Sequence, residues 1–288
     1  MPIEGNFNAG IPRVAPYVGP GDVVPNATVW WGLRGYSAAV SNGITKSVNL
    51  RASGDNATSD FVILPNGNLD TASISAFQLA HGGNLFVTAL YDQSESQLYH
   101  VTQSTAANQP QFLLTGGPNS KPTILFVKAN SLSLNIGGDA TVTVLQNQPF
   151  TMVAAASNTA TTQAALISGA SNGFIQWGFA LSGTANQMFS YAQSSLPTVT
   201  CADNTFHAIM SIFSDAAVAS AMVVNGVSTL GSLGSTTGFG IHNGLSLGGS
   251  GSTVFFDGSC SEAGICPITY SGTQVTNVNS NERNYWGF

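Results

Sequence analysis

Acidic side chains are the first residues of this sequence to consider for chemistry. Two carboxylates roughly 5 Å apart, one acting as nucleophile and one as acid, hydrolyse a glycosidic bond with retention. The acids that could contribute to such a pair are Asp92, Glu95, Asp203, Asp215 and Glu262. None of them stands in a recognisable motif with a partner, and Glu262 is predicted to be a structural carboxylate that accepts hydrogen bonds from backbone amides. These residues alone predict no catalytic site.

Histidine and glycine motifs supply no other chemistry. The histidines are His81, His100, His207 and His242. They are scattered, without the spacing of metal ligands or of a catalytic triad. The run Gly248-Gly249-Ser250-Gly251-Ser252 lacks the lysine and the helix of a phosphate-binding loop and is predicted to connect strands.

Three cysteines, Cys201, Cys260 and Cys266, have no CxxC spacing. Three residues cannot form a disulfide framework, and the spacing does not fit zinc. Free cysteine is most often a core residue. The cysteines are therefore predicted to be buried, reduced thiols, and no metal site is predicted.

Aromatic side chains are the best candidates for binding a ligand. Trp30, Trp31, Tyr36 and Tyr91, with Asp92 beside the last, could stack on and hydrogen-bond to sugar rings. Aromatic residues of this kind more often pack in a core or an interface, so both interpretations stay open. Glycan binding by these five residues is an expectation to compare with the structure.

Short β-like runs must position these side chains. Val29–Trp31, Phe61–Leu64 and Leu85–Tyr91 are apolar runs bounded by polar or turn residues, and Phe206–Ile212 alternates between apolar residues and outward-facing partners. Asn225-Gly226 is a strong hairpin signal because both residues accept a positive φ. Many short strands joined by glycine-rich turns predict an all-β sandwich or jelly roll.

One helix is predicted within this β-rich sequence. Leu69 to His81 has near-helical apolar spacing, with Asp70 or Thr71 as the cap and Gly82-Gly83 as the stop. At the other end of the chain, Asn284–Phe288 is predicted to dock on the sandwich as an apolar clamp.

Residues 1–27 have a different character from the rest. Proline recurs at Pro12, Pro16, Pro20 and Pro25. Such a segment is predicted to hold neither a helix nor a central strand. Its apolar residues, which could pack on a neighbouring protein, are Ile11, Val14, Tyr17, Val23 and Val24. Residues 1–27 are therefore predicted to be an extended attachment arm before one sandwich over 28–288, with 28–122 and 123–288 as its halves.

The composition argues against several classes of function. Charged residues form 7 % of the 288, hydrophobic residues form 43 %, and the net charge is −6. The Lys and Arg residues are spread singly, so a nucleic acid partner is not expected. The first residues lack the pattern of a secretory signal, and no apolar run approaches the roughly 20 residues of a membrane helix. The protein is expected either to be made and used without Sec export or to be shown after processing, and membrane insertion is not expected.

Four segments of the second half resemble the laminin-G/concanavalin A-like jelly-roll superfamily. They are Phe150–Val153, Thr205–Ala208, Met222–Gly226, and Leu245–Gly249 followed by Phe255–Ile265. The first half, through Asp55–Asp60, Leu90–Ser94 and Thr102–Pro110, resembles the catalytic domain of fungal-type arabinofuranosidase B and also phage virion proteins that share the lectin-like module. Together these resemblances imply a concanavalin A/laminin-G-like jelly-roll β-sandwich.

The resemblance also implies where a nucleophile would lie. In the arabinofuranosidase it is a Glu in an aromatic-Glu-Gly turn, and the matching position here is Asp257 of Phe256-Asp257-Gly258. Asp is one methylene shorter, and non-catalytic laminin-G domains place Asp there to bond the turn backbone. Related lectin folds bind calcium through Asp and Asn oxygens, which makes Asp139, Asp203 and Asp257 candidate calcium donors; no other cofactor is expected.

The favoured hypothesis is a non-enzymatic structural protein of a bacteriophage virion, such as a capsid decoration, fibre or tail-associated component. It would be assembled in the host cytoplasm, lie on the virion surface, contact other virion proteins through its arm and form a homo-oligomer. Its lectin-like domain could bind host-surface glycans. The alternative is a glycoside hydrolase of the arabinofuranosidase type, which the shorter Asp257 and the missing acid partner disfavour.

Overall fold

The computed structural model describes residues 16–136, 149–159, 164–171, 174–181, 185–192, 194–195, 198–214, 220–231, 245–250 and 254–288. Ile11, Val14, Asp139, Asp215 and His242, to which the sequence analysis gave roles, lie outside these ranges. None of the helices in the described ranges is long and apolar enough to span a membrane.

The described chain consists mainly of β-strands. The first half contributes β1 (Val29–Gly32), β2 (Lys46–Ala52), β3 (Thr58–Val62), β4 (Leu85–Leu90), β5 (Val101–Thr102), β6 (Gln111–Leu113), β7 (Thr123–Phe126) and β8 (Leu134–Ile136). The second half contributes β9 (Phe150–Asn158), β10 (Ile167–Ser171), β11 (Phe174–Leu181), β12 (Gln187–Ala192), β13 (Ser194–Ser195), β14 (Val199–Thr200), β15 (His207–Phe213), β16 (Ser220–Val224), β17 (Val227–Gly231), β18 (Leu245–Leu247), β19 (Gly249–Ser250), β20 (Val254–Phe255) and β21 (Gly258–Cys266).

Helices are few. They are α1 (Pro20–Val23), α2 (Thr71–His81) and α3 (Gly272–Trp286), with short 3-10 turns at Ala106–Asn108, Pro118–Ser120 and Lys128–Asn130. Within the described residues, 19 strands share one hydrogen-bonded network, and β19 and β20 form a separate ribbon. The prediction of an all-β sandwich is confirmed.

Strand β21 ties the two halves of the chain together. One of its sides pairs with β1, through Val29 opposite Ile265, and with β7, through Phe126 opposite Gly258. Its other side pairs with β9 along its whole length. Strands from the beginning, the middle and the end of the chain therefore lie next to one another.

This part of the sheet is buried on both faces. Because successive side chains point to opposite faces, Trp31 enters the main core whereas its neighbour Trp30 enters a second cluster. The second cluster is covered by α3 through Val275 and Val278 and by Val24 from the N-terminal segment. Strand β9 is buried at every position. Its mainly apolar sequence is explained by the fact that both faces of the sheet are covered.

Helix α2 confirms the helix predicted between Leu69 and His81. Asp70 is the N-cap, since its carboxylate accepts a hydrogen bond from the Ser73 backbone N–H, and the helix ends at Gly82 with φ of 70°. The predicted hairpin is also confirmed: β16 and β17 pair around Asn225 and Gly226, both of which have a positive φ.

Helix α3 was not predicted. Ser271 and Gln274 form a capping box at its start, and Val275, Val278 and Trp286 are buried on one side. Asn284–Phe288 docks on the sandwich as predicted, because Trp286 is buried in the main core and Phe288 packs against it. The docked segment is the end of this helix and its C-terminal cap.

The description of residues 1–27 as an extended arm is corrected for residues 16–27, which pack on their own chain. Val24 is 2 % exposed, and the Tyr17 hydroxyl donates a hydrogen bond to the Gly35 carbonyl over 2.6 Å. Pro20 stands in the first turn of α1, where proline costs no hydrogen bond, so the prolines did not exclude a helix. Of the predicted attachment residues, Tyr17 and Val24 thus contact this chain, and Val23 packs against the second cluster.

The three cysteines are free and buried, as predicted. Burial raises the pKa of each thiol to about 12. They remain protonated at neutral pH and lack the thiolate that makes a cysteine reactive.

Candidate functional site

Glu262 is a structural carboxylate, but its partners differ from the backbone amides that were predicted. It lies in β21, is 1 % exposed, and accepts hydrogen bonds from three side chains. Trp30 Nε1 donates to Oε1 over 2.7 Å, and Arg34 Nε and Trp286 Nε1 donate to Oε2 over 2.6 and 2.9 Å. Its donors come from both ends of the chain, so Glu262 holds β1, β21 and α3 together.

A second carboxylate, Glu282 of α3, binds the same arginine. Arg34 Nη2 lies 2.8 Å from Glu282 Oε1, and both side chains are fully buried. Burial raises the pKa of Glu282 well above its usual range; the charge of Arg34 opposes this, and Glu262 adds to it. Burial therefore favours the neutral form of Glu282. Glu262 and Glu282 are 1 % and 0 % exposed, so no exposed surface brings a substrate to them.

Three of the predicted glycan-binding aromatic residues are part of the core. Trp30, Trp31 and Tyr36 are 1 %, 0 % and 3 % exposed. Their polar atoms are bound within the chain: Trp31 Nε1 donates to the Tyr99 carbonyl, and the Tyr36 hydroxyl donates to the Val24 carbonyl. A sugar cannot reach these rings, so the predicted contact is corrected for all three.

Asp92 organises the loop after β4. Its Oδ1 accepts hydrogen bonds from the backbone N–H groups of Trp30 and Ser94, and its Oδ2 accepts from the Tyr99 N–H and the Ser94 hydroxyl. The residue is 2 % exposed. Since protein donors occupy its oxygens, Asp92 shapes the loop that carries its neighbours.

Tyr91 is half-buried and lines an open groove of about 370 Å³. The other residues that line it are Ile44, Thr45, Lys46, Asp92, Gln97 and His100. Its hydroxyl donates to Asp60 Oδ1 over 2.6 Å, and Lys46 Nζ lies 2.6 Å from Asp60 Oδ2. Burial raises the pKa of Asp60, but hydrogen bonds from Lys46, Tyr91 and Asn49 outweigh it and hold the pKa below its usual value. Asp60 is therefore an acceptor that holds Tyr91 and Lys46, two residues of the groove wall, and not an acid.

His100 adds a donor to the Tyr91 groove. Its Nδ1 accepts a hydrogen bond from the Asp92 backbone N–H over 3.0 Å, so the neutral ring carries its proton on Nε2. Its ring also packs edge-on against Tyr91. An aromatic ring with hydroxyl, amide, carboxylate and imidazole groups is a suitable lining for a sugar, and contact between Tyr91 and a glycan stays a prediction.

The ends of β7 and β9 and the start of β21 meet around Asp257. Its Oδ1 accepts a hydrogen bond from the Lys128 backbone N–H over 3.3 Å, and its carbonyl accepts from the Thr159 N–H over 2.8 Å. Phe256, fully buried beside Phe126, anchors the turn. Asp257 thus bonds the turn backbone, as was expected of a structural Asp, but its side chain is only partly buried.

Asp203 lies at the same edge of the sheet. Asn158, the last residue of β9, pairs with Gly258 and donates a side-chain hydrogen bond to Asp203 Oδ1 over 3.4 Å. The Asn186 backbone N–H holds Asp203 Oδ2 over 2.9 Å. We call Asp257, Asn158 and Asp203 the Asp257 edge: two partly exposed carboxylates on either side of one asparagine. No local signal could have paired residues 54 positions apart in the sequence.

The other predicted residues that lie in the described ranges do not join a site. Glu95 is exposed in the loop after β4, and His81 pairs with Asp55 over 2.8 Å in an exposed contact. His207 is bound to the Ala202 carbonyl and to Asn225. Among the described residues, no three His, Cys, Asp or Glu side chains come together as metal ligands. Calcium binding, glycan partners and a homo-oligomer stay predictions.

No family model and no curated protein matches this sequence. Solved structures do match in fold. A variant of a GH54 α-L-arabinofuranosidase soaked with 4-nitrophenyl α-L-arabinofuranoside superposes with a TM-score of 0.68 at 14 % identity, covering 92 % of this chain and 65 % of that chain. An arabinofuranosidase complexed with arabinofuranosyl-α-1,2-xylobiose gives a TM-score of 0.68 at 15 % identity, over 92 % and 64 %.

These comparisons correct two expectations. The chain spans slightly less than two thirds of the length of these enzymes, and at this identity the likeness establishes the fold. The predicted resemblance to arabinofuranosidases is confirmed at that level and extends beyond the first half of the chain. The resemblance to laminin-G domains and the virion role find no support. The prediction that the chain is not an enzyme is contradicted, because the structures that share its fold over 92 % of its length are glycoside hydrolases.

Proposed function

We propose that this chain acts on carbohydrates as a glycoside hydrolase of the arabinofuranosidase type. One observation carries the proposal: the fold matches over 92 % of the chain that of arabinofuranosidases solved with arabinofuranosides. A shared fold does not assign chemistry, so the proposal also needs residues on this chain that could perform it.

The Asp257 edge supplies the carboxylates for this proposal. Hydrolysis needs one carboxyl group that protonates the leaving oxygen and one carboxylate that attacks the sugar or activates water. Asp257 and Asp203 are both partly exposed and lie near the same asparagine, whereas Glu262 and Glu282 are fully buried. We assign the nucleophile or base role to Asp257, which occupies the position of the nucleophile in the family resemblance, and the acid role to Asp203.

The substrate class follows from the same comparison. The matched enzymes were solved with an aryl arabinofuranoside and with an arabinofuranosyl-xylobiose. For this chain we therefore propose a substrate with a terminal arabinofuranosyl unit. Hydroxyl and amide groups suit the neutral arabinofuranosyl unit itself.

The test is release of 4-nitrophenol from 4-nitrophenyl α-L-arabinofuranoside by the purified full chain. We expect measurable turnover, lowered by at least about 100-fold in Asp257→Asn and in Asp203→Asn, since each removes a proton-transferring or attacking group. Asp55→Asn, an exposed acid in the β2–β3 turn, is the matched control and should retain full turnover. A folded wild-type chain without turnover, or full activity in both edge variants, contradicts the proposal.

A further inference from the structure

A cavity of about 380 Å³ lies away from the Asp257 edge, between the first turn of α2, the segment between β6 and β7, and the end of α3. Tyr285, whose hydroxyl donates to Asn68 Oδ1 over 2.8 Å, forms one wall. The polar lining comes from Asn68, Thr71, Ser75, Thr115, Ser120 and Lys121. The cavity is large enough to take a small ligand, and its lining mixes apolar walls with a few polar groups, as ligand sites do. No carboxylate lines it among the described residues.

Lys121 is a cation without a counter-ion in this cavity. Its Nζ lies 4.0 Å from the centroid of the Tyr285 ring, and it forms no ion pair with any carboxylate in the described ranges. The side chain is partly buried, and that burial, followed by the charge of Arg34, lowers the pKa of the ammonium group. A partly buried ammonium group without an anionic partner favours binding of an anion.

The charges behind Tyr285 do not cancel this cation. The Arg34 guanidinium carbon lies 4.6 Å from the centroid of the same ring, and Arg34 is bound to Glu262 and Glu282. Burial favours the neutral form of Glu282, which reduces the negative charge behind Tyr285. Lys121 itself has no carboxylate partner among the described residues.

The backbone fixes the position of Lys121. The Gly117 N–H donates to the Lys121 carbonyl over 2.8 Å, and the Lys121 N–H donates to the Pro118 carbonyl over 3.0 Å. Asn119 and Ser120 within this turn have φ of 51° and 55°. Two consecutive non-glycine residues in the left-handed region are uncommon and are maintained only where the surrounding structure requires them. Lys121 is therefore presented by a rigid turn.

We propose that this cavity, the Lys121 cavity, binds an acidic sugar unit, a hexuronic acid, with its carboxylate at Lys121 and its hydroxyl groups at Thr71, Thr115 and Ser120. The proposal rests on the proposed action on carbohydrates. A single lysine surrounded by hydroxyl groups suits one carboxylate on a polyhydroxylated ring, whereas phosphate sites gather several N–H donors. The cavity would recognise a uronate that neighbours the arabinofuranosyl unit of a branched substrate.

The test is isothermal titration calorimetry of the full chain with glucuronate and with galacturonate. Glucose and galactose serve as the neutral analogues, and inorganic phosphate serves as an anion without a sugar ring. We expect a uronate to bind at least tenfold more tightly than its neutral analogue and than phosphate. Lys121→Met keeps the apolar stem and should lose at least tenfold in uronate affinity. Arg51→Gln, which removes a cation elsewhere on the surface, should bind as the wild type does.

Three outcomes overturn the proposal: equal affinity for uronate and neutral sugar, tighter binding of phosphate than of uronate, or unchanged uronate binding in Lys121→Met. Thermal unfolding of each variant shows that it is folded, and Thr115→Val provides a second variant that retains the charge and should weaken uronate binding. Turnover of the neutral aryl arabinofuranoside by Lys121→Met should equal that of the wild type. Failure of uronate binding is thereby separated from failure of hydrolysis.

Discussion

At the scale of single residues, Arg34, Glu262 and Glu282 form a buried cluster of ion pairs. All three are fully buried or nearly so, and the two carboxyl groups share one guanidinium. Breaking a buried ion pair is strongly destabilising because it leaves an uncompensated charge. Replacing Glu282, whose neutral form burial favours, by an amide of the same shape costs less. The two glutamates should therefore respond differently to the same substitution.

Glu262→Gln is expected to lower the free energy of unfolding by about 3–5 kcal/mol, because it breaks the buried ion pair with Arg34 Nε. Glu282→Gln should lower it by less than about 1 kcal/mol or raise it, since burial favours the neutral form of Glu282 and an amide of the same shape replaces it. Urea unfolding followed by tryptophan fluorescence measures both. Equal losses in the two variants would show that Glu282 is ionised.

Glu282 also predicts a pH dependence. Its pKa is raised above the ordinary 4.5, so above that pH the folded chain binds a proton that the unfolded chain releases. The contribution of this group is fully present below about pH 4.5 and is lost as the pH rises, by up to about 1.4 kcal/mol per pH unit. The stability of the wild type relative to Glu282→Gln should fall between pH 5 and pH 8. A constant difference across this range contradicts the assignment.

Sequence reasoning located some of these residues but not their partners. Glu262 was recognised as structural, yet Trp30 lies 232 positions away along the chain, and only strand pairing brings them together. Trp30, Trp31 and Tyr36 were candidates for sugar stacking because local sequence does not show that their sheet is covered on both faces. Tyr91 differs from them because it stands at the end of a strand, at an open groove.

At the scale of elements, α3 shows why a helix can escape detection in the sequence. Its residues include four asparagines and two threonines, which are weak helix formers, and its buried side includes the polar Glu282. The available signals were the Ser271 and Gln274 capping box and the spacing of Val275 and Val278. Helix α2 was predicted because its N-cap residue, its apolar spacing and the glycines that follow it all indicate the same helix.

Val278 tests the role of α3 as the cover of the second cluster. Val278→Ala removes two buried methyl groups and is expected to lower the free energy of unfolding by about 1–3 kcal/mol. Thr276→Ala, on the exposed side of the same helix, is the matched control and should change it by less than about 0.5 kcal/mol. Similar effects of the two substitutions would argue against burial of this face.

The N-terminal segment leads to a different expectation from the one its prolines suggested. An independent arm could be removed without loss of the folded sandwich, whereas residues 16–27 contribute Tyr17, Val24 and Ala27 to buried contacts. Deletion of residues 1–27 should therefore lower the melting temperature by several degrees or cause aggregation. An unchanged melting temperature would restore the interpretation as an arm.

At the scale of the whole molecule, β21 joins strands from the beginning, middle and end of the chain, and one core contains residues from both halves. The all-β class could be predicted because short apolar runs and turn residues are local signals. The Asp257 edge could not, because it forms where three distant strand ends meet. The same long-range pairing places Lys121, Tyr285 and α2 around one cavity.

The central claim is that this fold acts on arabinofuranosyl groups through the Asp257 edge. Its most direct test is NMR detection of free arabinose when the full chain is incubated with arabinofuranosyl-α-1,2-xylobiose. The account predicts arabinose and xylobiose from the wild type and from Asp55→Asn, and no detectable arabinose from Asp257→Asn. Intact substrate with a folded wild-type chain, or equal release by Asp257→Asn, would contradict it.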